Sequence, residues 1–169
     1  KMLGKILPVY EQGQYDQALN GMGQQAGLLT ISDDYGGTDA GNLAAFYAAN
    51  ALYEQGEYDR ALTYYQRFDK GNDFIGASAY AAEASIYETR GEMQTAAEYY
   101  EQAAEQYENK LTAPRYLIEA GKAFEEAGNF EAAERVYEQV KENYSESDQA
   151  EEVERYLARV RARQQSSSS

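Results

Sequence analysis

The stretch LYEQGEYDRALTYYQRF, residues 52–68, contains Gly56 followed by an aromatic residue two positions later and an alanine five positions later. The same order of a glycine, a large side chain and an alanine recurs three times. The recurrences are Gly13 with Tyr15 and Ala18, Gly91 with Met93 and Ala96, and Gly128 with Phe130 and Ala133. Gly56, Gly91 and Gly128 follow one another at intervals of 35 and 37 residues, which indicates an internal repeat. The longer interval between Gly13 and Gly56 makes the first unit irregular.

Each repeated glycine lies between two amphipathic segments. Apolar residues after it follow helical spacing, and alanine-rich segments such as SAYAAEASIYET precede it. The glycine permits the backbone of a short interhelical turn, and the small alanine lets the two helices approach closely. Since neither helix can bury its apolar face alone, the hairpins are expected to stack on one another.

These residues resemble the tetratricopeptide repeat over residues 42–75, 77–110 and 114–147. The small residue midway along the family's first helix is found as Ala49, Ala84 and Gly121. Met93 departs from the family's turn aromatic, and the usual closing proline is absent. The resemblance implies an all-α fold, a right-handed superhelical stack of helical hairpins whose first helices line a concave groove.

The two ends of the chain depart from the regular period. Residues 1–41 are interpreted as a degenerate repeat followed by a glycine-rich connection. Residues 148–163 predict a capping helix on the stack, and residues 164–169 predict a disordered tail. The cluster of arginines in the last helix is better explained as the exposed face of a capping helix, with a favourable interaction with the dipole at the helix C-terminus, than as a binding site for an anion. They are Arg155, Arg159, Arg161 and Arg163.

The composition excludes several classes of function. The chain contains no cysteine and no histidine, which removes thiol nucleophiles, disulfides, the usual zinc ligand and histidine-dependent triads. Its formal net charge of −14 disfavours nucleic acid and anionic membrane surfaces as partners. We therefore expect no catalytic residue, metal or cofactor. Adjacent acids such as Glu125 with Glu126, or Asp33 with Asp34, point in different directions and form no working pair.

Two short motifs in the irregular region have simpler explanations than ligand binding. Gly21, Gly23 and Ala26 fit a dinucleotide-binding pattern, but that pattern requires a parallel sheet, and here helices are predicted on both sides. A loop is the expected structure. The acids around Asp33 and Asp39 lack the spacing of a calcium loop, and a helix end followed by an N-cap at Thr38 or Asp39 explains them.

By resemblance to the family, the groove-facing positions of the first helices are the candidates for binding a protein or peptide partner. They are Leu43, Phe46, Asn50, Tyr53, Ser85, Glu88, Arg115, Ile118, Lys122 and Glu125. Phe46 and Tyr53 are apolar anchors in this interpretation; alternatively, they pack only against the irregular N-terminal unit. Phe46 stands where a lysine is needed to clamp an acidic C-terminal tail, which argues against that clamp.

The segment of residues 28–51 is similar to bacterial membrane-anchored periplasmic repeat proteins of the YfgM-like ancillary-chaperone type. That resemblance implies a non-catalytic scaffold in the cell envelope, translocon-associated or chaperone-like, anchored to the inner membrane through an upstream segment. This fragment itself is not expected to insert into the membrane. The alternatives are a cytoplasmic location and a structural role through self-association, as a homo-oligomer, or bridging.

Overall fold

The computed structural model describes residues 1–167. It is all-α apart from one short β-hairpin, which confirms the predicted stack of helical hairpins. Contacts divide the chain into two compact units, Lys1–Asp69 and a second unit that begins at Lys70. Each unit is described by itself below.

The first unit contains two glycine-centred turns joined by an irregular segment. Its elements are α1 (Leu3–Glu11), α2 (Tyr15–Asn20), β1 (Gly21–Met22), β2 (Gln25–Ala26), α3 (Leu28–Asp34), α4 (Asp39–Glu54) and α5 (Tyr58–Arg67). The two strands are antiparallel, with Gly21 opposite Ala26. The glycine pattern of this segment therefore lies in a tight hairpin and not in a parallel nucleotide-binding sheet. Thr38 is the N-cap of α4, since its hydroxyl accepts a hydrogen bond from the amide of Gly41 at 3.1 Å.

The second unit consists of two hairpins and a final helix. Its elements are α6 (Phe74–Thr89), α7 (Met93–Gln106), α8 (Ala113–Glu126), α9 (Phe130–Asn143) and α10 (Asp148–Ser167). Each helix packs on the next one along the chain, and α10 contacts both α9 and α8. The core between these helices includes Leu117, Phe124, Tyr137 and Leu157, all essentially buried.

The four interhelical turns share one backbone geometry. The glycines adopt φ values of 73° at Gly13, 77° at Gly56, 78° at Gly91 and 77° at Gly128. At Gly56 the following amide, that of Glu57, donates to the carbonyl of Leu52 at 2.9 Å. This is the hydrogen bond that closes a helix through a left-handed glycine, and an L side chain rarely adopts that φ. The alanine five residues after each glycine is fully buried, as the requirement for close approach predicts.

Gly121 has a different reason to be glycine. It lies inside α8, and a Cβ there would come within 2.2 Å of Cε1 of Tyr137. The corresponding residues of the two preceding repeats are Ala49 and Ala84. In the third repeat, the absence of this methyl group allows the Tyr137 ring to pack more closely against the helix.

The last helix continues past the predicted end at residue 163. α10 extends to Ser167, so the prediction of a disordered tail is wrong for residues 164–167, and residues 168–169 lie outside the described residues. Gln164 donates to Oε2 of Glu134 at 3.0 Å, and Ser166 donates to the carbonyl of Ala162 at 3.0 Å. Low sequence complexity did not reveal the contact with α9 that supports this turn.

Replacing Gly121 by alanine is expected to destabilise the protein by about 1–3 kcal/mol, because the added methyl group overpacks the contact with Tyr137. Urea unfolding of the full chain, followed by circular dichroism, measures the effect. The matched control is Gly37→Ala, where a Cβ meets no atom within 4 Å and φ is not positive. Equal unfolding midpoints for the two variants would contradict the packing explanation.

Candidate functional site

The predicted partner-binding residues of the first unit lie along α4, the first helix of its regular repeat. Leu43, Asn50 and Tyr53 are half-buried, whereas Phe46 is only 8% exposed. α4 therefore presents a partly accessible face of mixed chemistry at three of the four predicted positions.

Phe46 belongs to the core, which corrects its interpretation as an accessible apolar anchor. Its ring lies 5.3 Å from that of Phe68 and 6.4 Å from that of Tyr65, both contributed by its own hairpin. Tyr53 remains half-exposed, and its ring lies 5.3 Å from that of Tyr58, across the turn. These ring contacts of Phe46 and Tyr53 are with residues of their own hairpin.

Asn50 connects two helices to α4. The hydroxyl of Tyr65 in α5 donates to Oδ1 of Asn50 at 2.6 Å. Tyr10 in α1 also hydrogen-bonds Asn50; burial raises the pKa of Tyr10, and this hydrogen bond partly offsets the effect. Because the Tyr10 ring lies 5.0 Å from that of Tyr47, α1 stands beside α4 as a further helix of the first unit.

In the second unit the predicted residues divide into accessible and buried groups. Arg115 is exposed, and Ser85, Glu88 and Lys122 are half-buried, whereas Ile118 and Glu125 are buried. The hydroxyl of Tyr100 donates to Glu88 at 3.0 Å, and Nζ of Lys122 lies 2.9 Å from Oε1 of Glu119. The polar atoms of Glu88 and Lys122 are thus partly used within the fold.

Glu125 is a structural residue, which corrects its prediction as part of the accessible face. It accepts the hydroxyl of Tyr137 at 2.8 Å and two bonds from Arg159 of α10, at 2.9 Å from Nε and 2.5 Å from Nη2. Arg163 lies at 3.7 Å from the same carboxylate. A bidentate arginine on a carboxylate that is 5% exposed fixes the position of α10 on α8.

The arginines of α10 therefore do more than cover an exposed face. Arg159 pairs with α8, and Arg161 connects the last helix to α9. Nε of Arg161 donates a hydrogen bond to Oε1 of Glu134 at 2.7 Å, and its guanidinium donates a second hydrogen bond to Glu138. Because their partners lie on other helices, these contacts could not be assigned from the sequence of α10. The spacing of 34 residues between Glu125 and Arg159, close to one repeat, is the signal that could have indicated them.

Two buried glutamates of this unit have pKa values shifted in opposite directions. Burial alone would raise the pKa of Glu125, but the hydrogen bonds from Arg159 and Tyr137 outweigh it and hold that pKa below its ordinary value. For Glu83, burial dominates over its ion pair with Lys70 and raises the pKa. Nζ of Lys70 lies 3.1 Å from Oε2 of Glu83, whose side chain is 1% exposed.

Sequence reasoning missed the pair of Glu83 and Lys70. Glu83 lies eight residues before the turn glycine, where the other two repeats have Ala48 and Ala120. An acid at a position that is otherwise a core alanine was the available signal. Lys70 also lies 4.8 Å from the centre of the Tyr80 ring, a cation–π distance. This cluster anchors the segment that leads into α6.

The structure does not join the adjacent acids that were considered as possible catalytic pairs. Glu125 is committed to Arg159, whereas Glu126 is exposed; Asp33 pairs with Arg67 at 2.5 Å. Within residues 1–167, no group of three or more acidic side chains is arranged to hold a metal ion. In the same range, no helix is both long and apolar enough to cross a membrane.

Comparison with known families agrees with the repeat geometry. Two models, both described as tetratricopeptide repeat, match the chain: one at residues 43–70 and 117–147, the other at residues 79–114. Together they cover more than half of the chain. A comparison with curated proteins returned no match.

Acidification is expected to destabilise the second unit through Glu125. Its pKa in the folded state is below the ordinary value of 4.5, so its contribution is present above that pH and is lost as the pH falls through the folded value. Glu125→Gln should cost about 1–3 kcal/mol at pH 7, because charge-assisted hydrogen bonds are lost, and should flatten the decline of stability below pH 4.5.

Urea unfolding between pH 3 and 7 measures this dependence for the wild type and for two charge-matched variants. Glu126→Gln is the control, because Glu126 is exposed on the same helix. That control should follow the wild-type profile. An unchanged acid slope in Glu125→Gln would show that other groups determine the acid response.

Proposed function

Because the chain belongs to the tetratricopeptide-repeat family, whose members generally mediate protein–protein interactions, we propose that it is a non-catalytic scaffold. A peptide, client or partner helix binds to the accessible faces of the first helices. The fold class by itself does not specify the partner, so the proposal depends on the chemistry of these faces.

The observation that carries the proposal is the unequal exposure of the two sides of each first helix. On α8, Leu117, Ala120 and Phe124 are buried in the core, while Arg115 and Lys122 remain accessible. The accessible positions are not needed to fill the core. Within each unit, the accessible polar and aromatic side chains at these positions supply the mixture of apolar contact and hydrogen bonding that protein interfaces use.

The proposed location is the periplasmic side of a bacterial inner membrane, in a translocon-associated or ancillary-chaperone role. The resemblance of residues 28–51 to anchored periplasmic repeat proteins supports it, and the absence of cysteine is compatible with an oxidising compartment. Protease accessibility of the full-length protein in intact spheroplasts tests this part. Protection from protease until the membrane is lysed would favour the cytoplasmic alternative.

Site-specific photocrosslinking in the source organism tests the scaffold. A photoreactive phenylalanine analogue replaces Tyr53 in one variant and Lys122 in another, and a variant at exposed Glu98 of α7 is the control. We expect discrete crosslinked products at Tyr53 or Lys122, with a yield at least about fivefold higher than at Glu98, because a bound partner contacts a defined set of positions.

The identity of the products decides between the proposal and its alternative. Crosslinks to proteins of translocation or envelope assembly would support the scaffold and its location. Crosslinks only between identical chains would replace it with the self-association role. Equal, diffuse labelling at all three positions would leave the proposed faces without a partner.

A further inference from the structure

The large apolar side chains that the second unit exposes lie at one end of its helices. Phe74, the first residue of α6, is 57% exposed, Tyr107 follows α7 at 40%, and Leu111 precedes α8 at 76%. α6 and α8 begin at the end where α7 terminates. Gln106 confirms this proximity, since its amide donates to the carbonyls of Lys70 and Gly71 at 2.8 and 2.9 Å.

A cavity of about 360 Å³ lies beside Phe74 at this end, between α6, α7 and α8. We call this cavity the Phe74–Arg115 pocket. It is lined by Phe74, Tyr100, Thr112, Arg115, Tyr116 and Glu119. Three aromatic rings line a space of the size at which ligand pockets begin. The three rings offer apolar contact to one large side chain, and Thr112, Arg115 and Glu119 form the polar part of the lining.

Arg115 gives this pocket a positive charge that the fold does not use. Within residues 1–167 no ion pair or hydrogen bond of its side chain is found, whereas Glu119, the acid of the pocket, pairs with Lys122. Arg115 also lies in the first turn of α8, where the helix dipole disfavours a cation. Its guanidinium therefore has no carboxylate partner within the described residues and is available to one from outside the chain.

We propose that the Phe74–Arg115 pocket binds a peptide segment of a partner protein in which a large apolar side chain adjoins an acidic one. The apolar side chain fills the space between Phe74 and Tyr116, and the carboxylate accepts hydrogen bonds from Arg115. The rest of the segment is neutral or basic, because a chain of net charge −14 repels an acidic one. This inference rests on the proposed scaffold function and adds the site and the chemistry of the segment bound.

Binding of end-blocked octapeptides to the full chain tests the pocket. The probe has one aspartate followed by one phenylalanine in a background of serine, glycine and lysine, and two companions replace the aspartate by asparagine or the phenylalanine by alanine. Fluorescence anisotropy should give a dissociation constant below about 1 mM for the probe, and each companion should bind about tenfold more weakly, the loss of one charge-assisted or apolar contact.

Variants of the protein assign the binding to this site. Arg115→Gln should weaken the probe about tenfold and leave the asparagine companion almost unchanged, because the pair of substitutions removes one shared contact. Phe74→Ala should weaken both. Arg90→Gln, which removes a cation at the opposite end of α6, is the control and should change affinity less than twofold. Phe74 and Arg115 are exposed, so neither substitution should unfold the chain.

The inference is overturned if the probe does not bind at 1 mM, if Arg115→Gln and Phe74→Ala leave its affinity unchanged, or if Arg90→Gln weakens it equally. These outcomes are independent of the crosslinking at Tyr53 and Lys122. Crosslinked partners without pocket binding would remove this inference and keep the scaffold. Pocket binding without those crosslinks would keep the pocket and remove the proposed contacts at Tyr53 and Lys122.

Discussion

The left-handed backbone at the turn glycines is the constraint on which the rest of the structure depends. Four glycines share φ values between 73° and 78°, and each reverses the chain within a few residues. Once the chain reverses, the two helices run antiparallel, which places the buried alanine of the second helix against the first. A side chain with a Cβ at the turn would strain this geometry at every repeat. The hairpin is thus determined locally, and stacking follows because each hairpin leaves an apolar side uncovered.

Buried charges then fix how particular helices are placed on this common plan. Glu125 and Arg159 connect α8 to the last helix, and Glu83 and Lys70 anchor the segment that precedes α6. The two glutamates respond to burial differently: the first has enough donors to favour its charged form, and the second does not. Burying an ion pair stabilises a fold weakly at best, but it penalises any arrangement in which one partner is left alone. Both pairs therefore favour specificity of packing more than they add to stability.

The same distribution of charge separates the residues used by the fold from those available to a partner. Most arginines of α10 have acidic partners on neighbouring helices, whereas Arg115 has none within the described residues. Arg115 is thus a cation without an acidic partner, and it lines the same pocket as exposed Phe74. The recognition site proposed for the second unit rests on this contrast more than on the family itself, because residues without a structural role are free to contribute contacts across an interface.

The sequence by itself determined the helical hairpins, their period and the all-α class, because glycine, alanine and apolar spacing act over a few residues. It could not determine which side of a first helix remains accessible. Phe46 and Glu125 were predicted at the surface and are buried, since Phe68, just after α5, and Arg159 of α10 cover them. It likewise ended α10 too early, before the contact of Gln164 with Glu134. Only the tertiary structure decided these points, because burial and ion pairing depend on residues that are distant along the chain and become neighbours when helices pack.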